Sequence, residues 1–307
     1  MADYDVVIIG GGPAGLTAGL YLARGKHRTI LLEKESLGGY IKNVDWIENY
    51  PGFSEGVSGA RLATEMVSQA ARYGLKLELA EVVGIELFSS TKWVECADGR
   101  GYTAKAIIVA AGSKHKELGV PGEKALRGRG VINCALCDGG QFAEKVVAVC
   151  GGGDTGVTEA LYMSKLASKV VLIASRLKAS AILRDRALSN PKLEIHSGCR
   201  AVAIIGNGQV EGIELVEVES GRKETVKVDG VLVCAGLTPN TSFLRGIVPF
   251  DDQGQIVVGA SMATEVPGIY AAGDVRCDSP RQVSAAVGDG TMAAVSAERF
   301  LMEQEVS

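Results

Sequence analysis

Two cysteines separated by two residues, Cys134 and Cys137, are the side chains in this sequence best suited to redox chemistry. A thiol near the start of a helix has a lowered pKa because the helix dipole favours the thiolate, which is the nucleophile in disulfide exchange. Half of a zinc site could use the same spacing, but no second Cys or His pair stands at ligand spacing. The three histidines are isolated along the chain: His27, His115 and His196. We therefore predict a redox dithiol and no metal site.

Asp138 directly follows the second cysteine and is the nearest candidate for acid–base chemistry. Its carboxylate could cap a helix or shuttle a proton to one of the thiols, and one residue could do both. The cysteine pair also lies between two glycine-rich turns. That order suggests electrons passing from one nucleotide to another and then to a disulfide.

The first glycine-rich turn forms a G-x-G-x-x-G motif from Gly10, Gly12 and Gly15. The first glycine permits a tight turn, the second lets a pyrophosphate approach the backbone, and the third lets the following helix pack on the preceding strand. An apolar run precedes the motif and a helical pattern follows it. Glu33, at the end of the next apolar run, is placed to accept both hydroxyls of a ribose. These features predict a dinucleotide site.

The second glycine-rich turn repeats the motif in the same context with Gly151, Gly153 and Gly156. The position that corresponds to Glu33 is Ala174, followed by Ser175 and Arg176. The missing carboxylate removes the usual determinant of NAD binding, whereas Arg176 could contact a 2′-phosphate and favour NADPH. An arginine at this place can equally be a solvated surface residue.

The repeated strand–turn–helix–strand pattern predicts an α/β chain with two Rossmann-like, three-layer domains. The second domain, with the cysteine pair, is expected over residues 116–242. It is inserted into a first domain formed by residues 1–115 and 243–307. Alternating segments over residues 75–109 predict antiparallel strands, and the chain should close with a long helix over residues 284–301.

The composition argues against several classes of protein. The 307 residues carry a net charge of −4, which argues against a nucleic-acid partner. No apolar stretch approaches the roughly 20 residues of a membrane span. The seven cysteines are odd in number and scattered, which argues against a secreted disulfide scaffold and favours the cytoplasm.

Together these motifs resemble those of the low-molecular-weight thioredoxin reductases, and the resemblance covers nearly the whole chain. The matching segments are residues 10–15, 38–39, 48–52, 134–139, 151–156, 239–241, 271–275 and 281–282. The resemblance implies a homodimeric enzyme that passes electrons from NAD(P)H through FAD to the cysteine pair and on to thioredoxin or a thioredoxin-like protein. It implies that Cys137 faces the flavin, that Cys134 attacks the thioredoxin disulfide, and that Asp138 is the acid–base residue.

The resemblance also assigns residues to the two cofactors. For FAD in the first domain these are Gly10, Gly12, Pro13, Ala14, Gly15, Glu33, Gly38, Gly39, Tyr40, Asn49, Val82, Ala110, Ala111, Gly112, Gly273, Asp274, Arg281, Gln282 and Val283. For the nicotinamide nucleotide in the second domain these are Gly151, Gly153, Asp154, Thr155, Gly156, Ser175 and Arg176. Asp274 matches the carboxylate that holds FAD, and Arg281 with Gln282 match residues near the flavin ring.

The chain departs from the family at the 2′-phosphate site. The family usually carries a His-Arg-Arg run and a further Arg, where this chain has residues 174–176 and Ser180. Two of three arginines are therefore missing. A charge-assisted hydrogen bond contributes about 1.5–3 kcal/mol, so losing two weakens binding by about 10²- to 10⁴-fold. We expect NADH use or weak discrimination, unless Arg176, Lys178 or Arg184 compensates.

Two further departures concern the partner and the flavin. The family often has two aromatic residues after Asp-Gly for docking thioredoxin, where this chain has Gly140–Gln141 followed by Phe142. Arg127 and Arg129 remain as charged contacts, and we expect a dedicated or atypical thioredoxin. Tyr40 stands where the family usually has Gln beside FAD.

Two alternatives keep the same fold. A ferredoxin-fed thioredoxin reductase would make the second glycine turn unnecessary, and FAD-dependent dithiol oxidases tend to lose that turn, which is intact here. A non-enzymatic sensor would bind flavin without turnover. The complete electron path favours the disulfide reductase.

Overall fold

A computed structural model describes residues 2–306, with the side chains of residues 2–304. The chain divides into two compact units: unit 1 is Met1–Lys114 with Thr238–Ser307, and unit 2 is His115–Leu237. The boundaries thus follow residues 114 and 237, compared with 115 and 242 expected from the sequence. The two connecting segments pair with each other as short strands, β7 (Ser113–His115) and β16 (Leu237–Pro239).

Unit 1 is built on one seven-stranded sheet. Its strands are β1 (Tyr4–Ile9), β2 (Thr29–Glu33), β3 (Lys76–Leu79), β4 (Val82–Leu87), β5 (Lys92–Cys96), β6 (Gly101–Val109) and β17 (Ile269–Ala271). Its α-helices are α1 (Pro13–Arg24), α2 (Gly59–Arg72) and α6 (Val283–Val306), with short 3-10 helices at Gly39–Asn43, Ser242–Leu244 and Gly273–Val275.

The strand order is β3-β2-β1-β6-β5-β4, and β17 pairs with the second half of β6. Strands β3, β2, β1, β6 and β17 run parallel, while β4 and β5 form an antiparallel extension. The expectation of antiparallel strands throughout residues 75–109 was therefore wrong for β3. This strand follows α2, and a helical crossover returns the chain in the parallel direction.

Side chains of the central strands alternate between two cores. Val6, Ile8 and Ile108 face α1 and α6, whereas Val7, Ile9 and Ile107 face the β4–β5 extension and the loops around Val248. Nearly continuous burial along β1, β2 and β6 is what a parallel strand covered on both faces requires. Ser58 caps α2 by accepting the Arg61 N–H at 3.3 Å, a role for which serine is a preferred residue.

Unit 2 contains a five-stranded parallel sheet in the order β11-β10-β9-β15-β8 and a three-stranded antiparallel sheet, β12-β13-β14. The strands are β8 (Val131–Ile132), β9 (Val146–Cys150), β10 (Lys169–Ala174), β11 (Leu193–Ser197), β12 (Cys199–Ile205), β13 (Gly212–Glu217), β14 (Lys223–Lys227) and β15 (Gly230–Val233). The helices are α3 (Ala135–Asp138), α4 (Asp154–Leu166) and α5 (Ala181–Leu188), with a 3-10 helix at Gly139–Phe142. The antiparallel sheet covers one face of the parallel sheet, and α3, α4 and α5 cover the other.

No helix within residues 2–306 combines the length and the apolar character needed to cross a membrane.

Candidate active site

The register of unit 1 brings its predicted cofactor residues to one edge of the sheet. Ile9 lies beside both Leu32 and Val109, and Val109 lies beside Ala271. The residues that follow these four strands therefore meet at the carboxyl edge, where ligands bind in open α/β sheets. β3 ends beside Glu33, so the segment that leads to Val82 leaves from the same edge.

The first glycine turn is closed to side chains at its ends and open in its middle. A Cβ at Gly10 would lie 2.3 Å from the Ala110 oxygen, and one at Gly15 would lie 1.9 Å from the Gly10 oxygen. A Cβ at Gly12 would meet nothing nearer than the Gly39 Cα at 3.9 Å. Gly12 is also the N-terminal cap of α1 and carries no side-chain cap. The turn thus fits a pyrophosphate against free helix N–H groups.

Glu33 is fixed beside that turn. Its Oε2 accepts the Gly11 N–H at 2.7 Å, and its Oε1 accepts the Glu35 N–H at 2.9 Å. A carboxylate has about four lone-pair sites, so capacity remains for ribose hydroxyls. Gly38 and Gly39 follow with left-handed φ values of 102° and 63°, and the Gly38 N–H donates to the Gly11 oxygen.

Asp274 supplies a second carboxylate to unit 1. Burial raises its pKa, and the Ser279 Oγ donates to its Oδ1 at 3.3 Å. The Ser113 Oγ donates to the Asp274 backbone oxygen at 3.1 Å. A half-buried carboxylate that accepts one side-chain hydrogen bond from the described residues suits a ligand rich in hydroxyl groups. This environment fits the ribityl chain of FAD.

The remaining residues assigned to FAD lie in the same unit. Asn49 Nδ2 donates to Gln282 Oε1 at 2.9 Å, which ties the loop before α2 to the start of α6. Arg281 and Gln282 are exposed and Val283, the first residue of α6, is half-buried. Tyr40 is 40% exposed. Asn240, which was not among the predicted cofactor residues, donates from Nδ2 to the Ala111 oxygen and holds the segment after β6.

The register of unit 2 brings the second glycine turn and the cysteine pair to one edge. Cys150 lies beside Ile173 and Val233, and Leu232 lies beside Ile132. The glycine turn leaves this edge after β9. Cys134 leaves it two residues after β8. Both predicted reactive segments of unit 2 therefore extend from the carboxyl edge of one parallel sheet.

The second glycine turn has the shape of the first. A Cβ at Gly151 would lie 2.4 Å from the Cys234 oxygen, and one at Gly156 would lie 2.2 Å from the Gly151 oxygen, while Gly153 faces open space. Asp154 and Thr155 begin α4 and are exposed. The open middle glycine and the bare helix start again fit a pyrophosphate.

The loop after β10 folds back on this turn through its backbone. The Lys178 and Ala179 N–H groups donate to the Gly152 oxygen at 2.6 and 3.0 Å, and the Ser180 N–H donates to Asp154 Oδ1 at 2.7 Å. Ala174 is buried at the end of β10, whereas Ser175 and Arg176 are exposed. The ribose end of the site is thus shaped by backbone contacts, with no acidic side chain in the place of Glu33.

Cys134 and Cys137 form a disulfide across α3. Cys134 is the N-terminal cap of this helix, and its Sγ accepts the Cys137 N–H at 3.1 Å. Cys134 is half-buried, and Cys137 and Asp138 are exposed. The Asp138 side chain makes no capping hydrogen bond. The interpretation of Asp138 as a helix cap was therefore wrong, and a proton-carrying role is unaffected.

Glu159 was missed by the sequence analysis. This residue of α4 is only 7% exposed, and its Oε2 accepts the Ala135 N–H at 2.8 Å, directly beside Cys134. It therefore anchors the helix that carries the disulfide. A charged residue on the face of α4 that also carries Val157, Ala160 and Met163 was the signal available in the sequence.

The other five cysteines form no disulfide, and burial disfavours the thiolate form of two of them. Burial raises the pKa of the Cys150 thiol to about 12 and also raises the pKa of the Cys234 thiol. Cys96, Cys150, Cys199, Cys234 and Cys277 are free thiols. Across the described residues, no group of three or more His, Cys, Asp or Glu side chains is arranged to hold a metal ion.

With this geometry, comparison with known proteins defines the class. The pyridine nucleotide-disulphide oxidoreductase family model matches residues 4–290, and the chain belongs to that family.

Within the class, the similar proteins are thioredoxin reductases. The chain is 40% identical to the thioredoxin reductase of Listeria monocytogenes, over 99% of this chain and 96% of that protein. It is 39% identical to the bifunctional thioredoxin reductase/thioredoxin of Mycobacterium leprae, over 98% of this chain and 66% of that protein. The thioredoxin reductase of Lactococcus lactis superposes with a TM-score of 0.96 at 36% identity, covering 98% of this chain and all of that one.

These matches confirm two predictions made from the sequence. The chain resembles the low-molecular-weight thioredoxin reductases along nearly its whole length, and its fold is α/β with two Rossmann-like domains. It is a flavoprotein oxidoreductase of the pyridine nucleotide–disulfide class.

Proposed function

We propose that this chain reduces the disulfide of thioredoxin or a thioredoxin-like protein with electrons from NAD(P)H. The observation that carries the proposal is the Cys134–Cys137 disulfide, which shares the carboxyl edge of the unit 2 sheet with an intact dinucleotide turn. A nucleotide site and a dithiol on one sheet edge suit an enzyme that passes electrons between them.

FAD, when bound in unit 1, would carry two electrons from the nicotinamide to the cysteine pair. The first glycine turn would hold its pyrophosphate, while Glu33 and Asp274 would accept hydrogen bonds from its hydroxyl groups. The second glycine turn would hold the pyrophosphate of the nicotinamide nucleotide at the start of α4. The open middle glycines and the hydrogen bonds of the two carboxylates support these assignments.

The reduced dithiol then exchanges with the partner. The Cys134 thiolate attacks one sulfur of the thioredoxin disulfide, forms a mixed disulfide and releases the other sulfur as a thiolate, which takes up a proton. Cys137 attacks the Cys134 sulfur, releases the second thioredoxin thiol and re-forms the Cys134–Cys137 disulfide. Asp138 is exposed beside Cys137 and carries protons during these steps. Glu159 keeps α3 in place by accepting the Ala135 N–H.

For the electron donor, we infer that NADH is used or only weakly distinguished from NADPH. Support comes from the segment that leaves β10. Ser175 and Ser180 replace two family arginines, and Arg176 is the one remaining. The expected ratio of kcat/KM for the two nucleotides is near one or favours NADH. A hundredfold preference for NADPH would overturn this inference.

A double substitution that restores the two missing arginines tests the same inference. Ser175→Arg with Ser180→Arg should improve kcat/KM for NADPH by about 10²-fold or more, because each arginine restores a charge-assisted bond to the 2′-phosphate. Ser220→Arg, an exposed serine in the turn before β14, is the control for added charge. An equal gain in the control would mean general attraction and not recognition.

For the partner, we infer a dedicated or atypical thioredoxin. Phe142, the one aromatic residue close after Asp138–Gly139, is 2% exposed and packs in the core against the α4 face, so it cannot dock a partner. Arg127 is exposed and pairs with Glu117 at 2.9 Å. Turnover of a generic thioredoxin equal to that of thioredoxins from the same cell would contradict this inference.

We also infer a homodimer in the cytoplasm. Five free cysteines suit a reducing compartment, and the dimer follows the family resemblance. Sedimentation at assay concentration should give twice the 32.0 kDa chain mass.

The direct test of the proposed function is an anaerobic titration of the FAD-loaded protein with NADH and NADPH in parallel, followed by flavin absorbance. Rapid loss of absorbance with either nucleotide, and its return on adding oxidised thioredoxin, is expected. No loss with either nucleotide would favour a ferredoxin-fed reductase or a dithiol oxidase. Loss of absorbance that thioredoxin does not reverse would remove thioredoxin as the acceptor.

A further inference from the structure

Unit 1 contains a buried ion pair that the proposed function does not use. Arg276 Nε donates to Asp289 Oδ2 at 2.8 Å, and Arg276 Nη2 donates to Asp289 Oδ1 at 2.9 Å. The two side chains are 14% and 9% exposed. Burying a charged pair costs desolvation energy that the pair's own attraction often fails to offset. We therefore expect the role of the pair to lie in the hydrogen bonds that it makes with the surrounding backbone.

The pair forms hydrogen bonds with the backbone on both sides of Asp274. Asp289 Oδ2 also accepts the Gly273 N–H at 3.1 Å, and Arg276 Nη1 donates to the Cys277 oxygen at 2.8 Å. Gly273 has a left-handed φ of 78° and is buried, and a buried backbone N–H needs an acceptor. The carboxylate of Asp289 is that acceptor. The backbone of the Asp274 turn is thereby held from α6.

The same point of α6 touches the start of α1. A Cβ at Gly290 would lie 2.2 Å from the Ala14 oxygen, and a Cβ at Gly273 would lie 3.1 Å from the Ala14 Cβ. Asp289 therefore stands where α6, the turn at Gly273 and the first turn of α1 come together. These are the segments to which the pyrophosphate and hydroxyl contacts of FAD are assigned.

We infer that Arg276 and Asp289 are positioning residues for FAD. By fixing the Gly273 N–H, the pair sets the Asp274 carboxylate in its binding position relative to the α1 turn. Neither residue needs to touch the dinucleotide. The inference rests on the proposed FAD site of unit 1.

The test uses the apoprotein of the full chain and free FAD, with affinity read from quenching of flavin fluorescence. Arg276→Lys keeps the charge but loses the two-pronged contact, and Asp289→Asn keeps the shape but loses the charge. Each should weaken FAD binding by about tenfold or more, the loss expected for one charge-assisted hydrogen bond. Arg28→Lys alters an ion pair with Asp5 in the same unit whose arginine side chain is 51% exposed, and should stay within about twofold of the parent.

A double-mutant cycle separates positioning from a merely structural role. If the pair acts through Asp274, Asp289→Asn should cost much less affinity in an Asp274→Asn background than in the parent. Fully additive losses would overturn the inference, as would FAD affinities of both single variants within twofold of the parent. If a single variant does not fold, the neutral pair Arg276→Gln with Asp289→Asn takes its place in the cycle, with the same expectations. Failure of the parent itself to bind FAD would instead remove the proposed function.

Discussion

Cys134 has two roles in the structure, because its sulfur is half of the disulfide and also accepts the Cys137 N–H. A serine oxygen can replace the sulfur as a cap but not as a nucleophile for disulfide exchange. Cys134→Ser should therefore abolish disulfide reduction, while NAD(P)H still removes the flavin absorbance. Thioredoxin turnover and anaerobic flavin spectra measure the two effects separately.

Cys199→Ser, at a half-buried free thiol of the same unit, is the matched control and should leave turnover unchanged. Surviving disulfide reduction in Cys134→Ser would show that the assignment of roles within the pair is wrong.

We expect the Asp274 carboxylate to strengthen FAD binding and to lower the stability of the apoprotein. Burial raises its native pKa above the unfolded value of 3.8, so the ionised carboxylate destabilises the apoprotein above that raised pKa. As the pH falls through the native pKa towards 3.8, the destabilisation disappears. Asp274→Asn should therefore raise the Tm of the apoprotein at pH 7, with the gain shrinking in acid. Its FAD affinity should fall by about 10- to 100-fold.

Thermal melts at several pH values and FAD titration measure both halves of this prediction. Asp252→Asn, at an exposed acid of the same unit, should change neither quantity. A lower apoprotein Tm for Asp274→Asn would show that burial does not dominate this site.

Some residues of the site could be predicted from the sequence and others could not, for a physical reason. The glycines and Glu33 follow from local geometry, because a turn that admits no Cβ restricts its own sequence. Glu159 and Asp289 act through partners 24 and 16 residues away. Phe142 shows the reverse case, since an aromatic residue near the dithiol is a core residue here. Such partners depend on tertiary packing that local pattern does not specify.

At the scale of elements, the contact between α1 and α6 depends on Gly290. A methyl group there would lie 2.2 Å from the Ala14 oxygen, so the helices would have to separate. Gly290→Ala should therefore lower both the Tm and the FAD affinity, with a cost of about 1–3 kcal/mol typical of overpacking.

Gly288→Ala is a matched control in the same helix, because a Cβ there meets nothing within 4 Å. It should stabilise the protein by about 0.5–1 kcal/mol through helix propensity. Melting curves of the two variants should shift in opposite directions. A shift of the same sign in both would contradict the close-packing explanation.

The elements themselves followed closely from the hydrophobic period, as the two glycine-turn units and the closing helix α6 show. The sequence pattern did not correctly predict whether β3 pairs in the parallel or the antiparallel direction. This strand is short and half-exposed, and the crossover through α2 makes it parallel to β2. β17 has three residues and pairs with β6 from more than 150 residues away, a distance no local pattern bridges.

At the scale of the whole molecule, each unit has its own cores. FAD binding in unit 1 should therefore slow amide exchange mainly there, because a ligand stabilises only the cooperative region that it binds. Hydrogen-exchange mass spectrometry of apoprotein and FAD-loaded protein should show the greatest protection in α1, β17 and the first turns of α6. Equal protection in β9, β10 and β15 would mean that the units unfold together.

The insertion of unit 2 into unit 1 determines when the flavin site can exist during synthesis. Translation reaches Asp274 and α6 only after all of unit 2 has been made, and at about 5–20 residues per second this delay is on the order of 10 s. In that interval β6 has no β17 beside the half that β17 later covers, and α1 has no α6 against it. Unit 2 has two cores of its own, so we expect residues 115–237 to fold during that interval. The nascent chain therefore carries its disulfide-forming cysteines before it can take up its flavin.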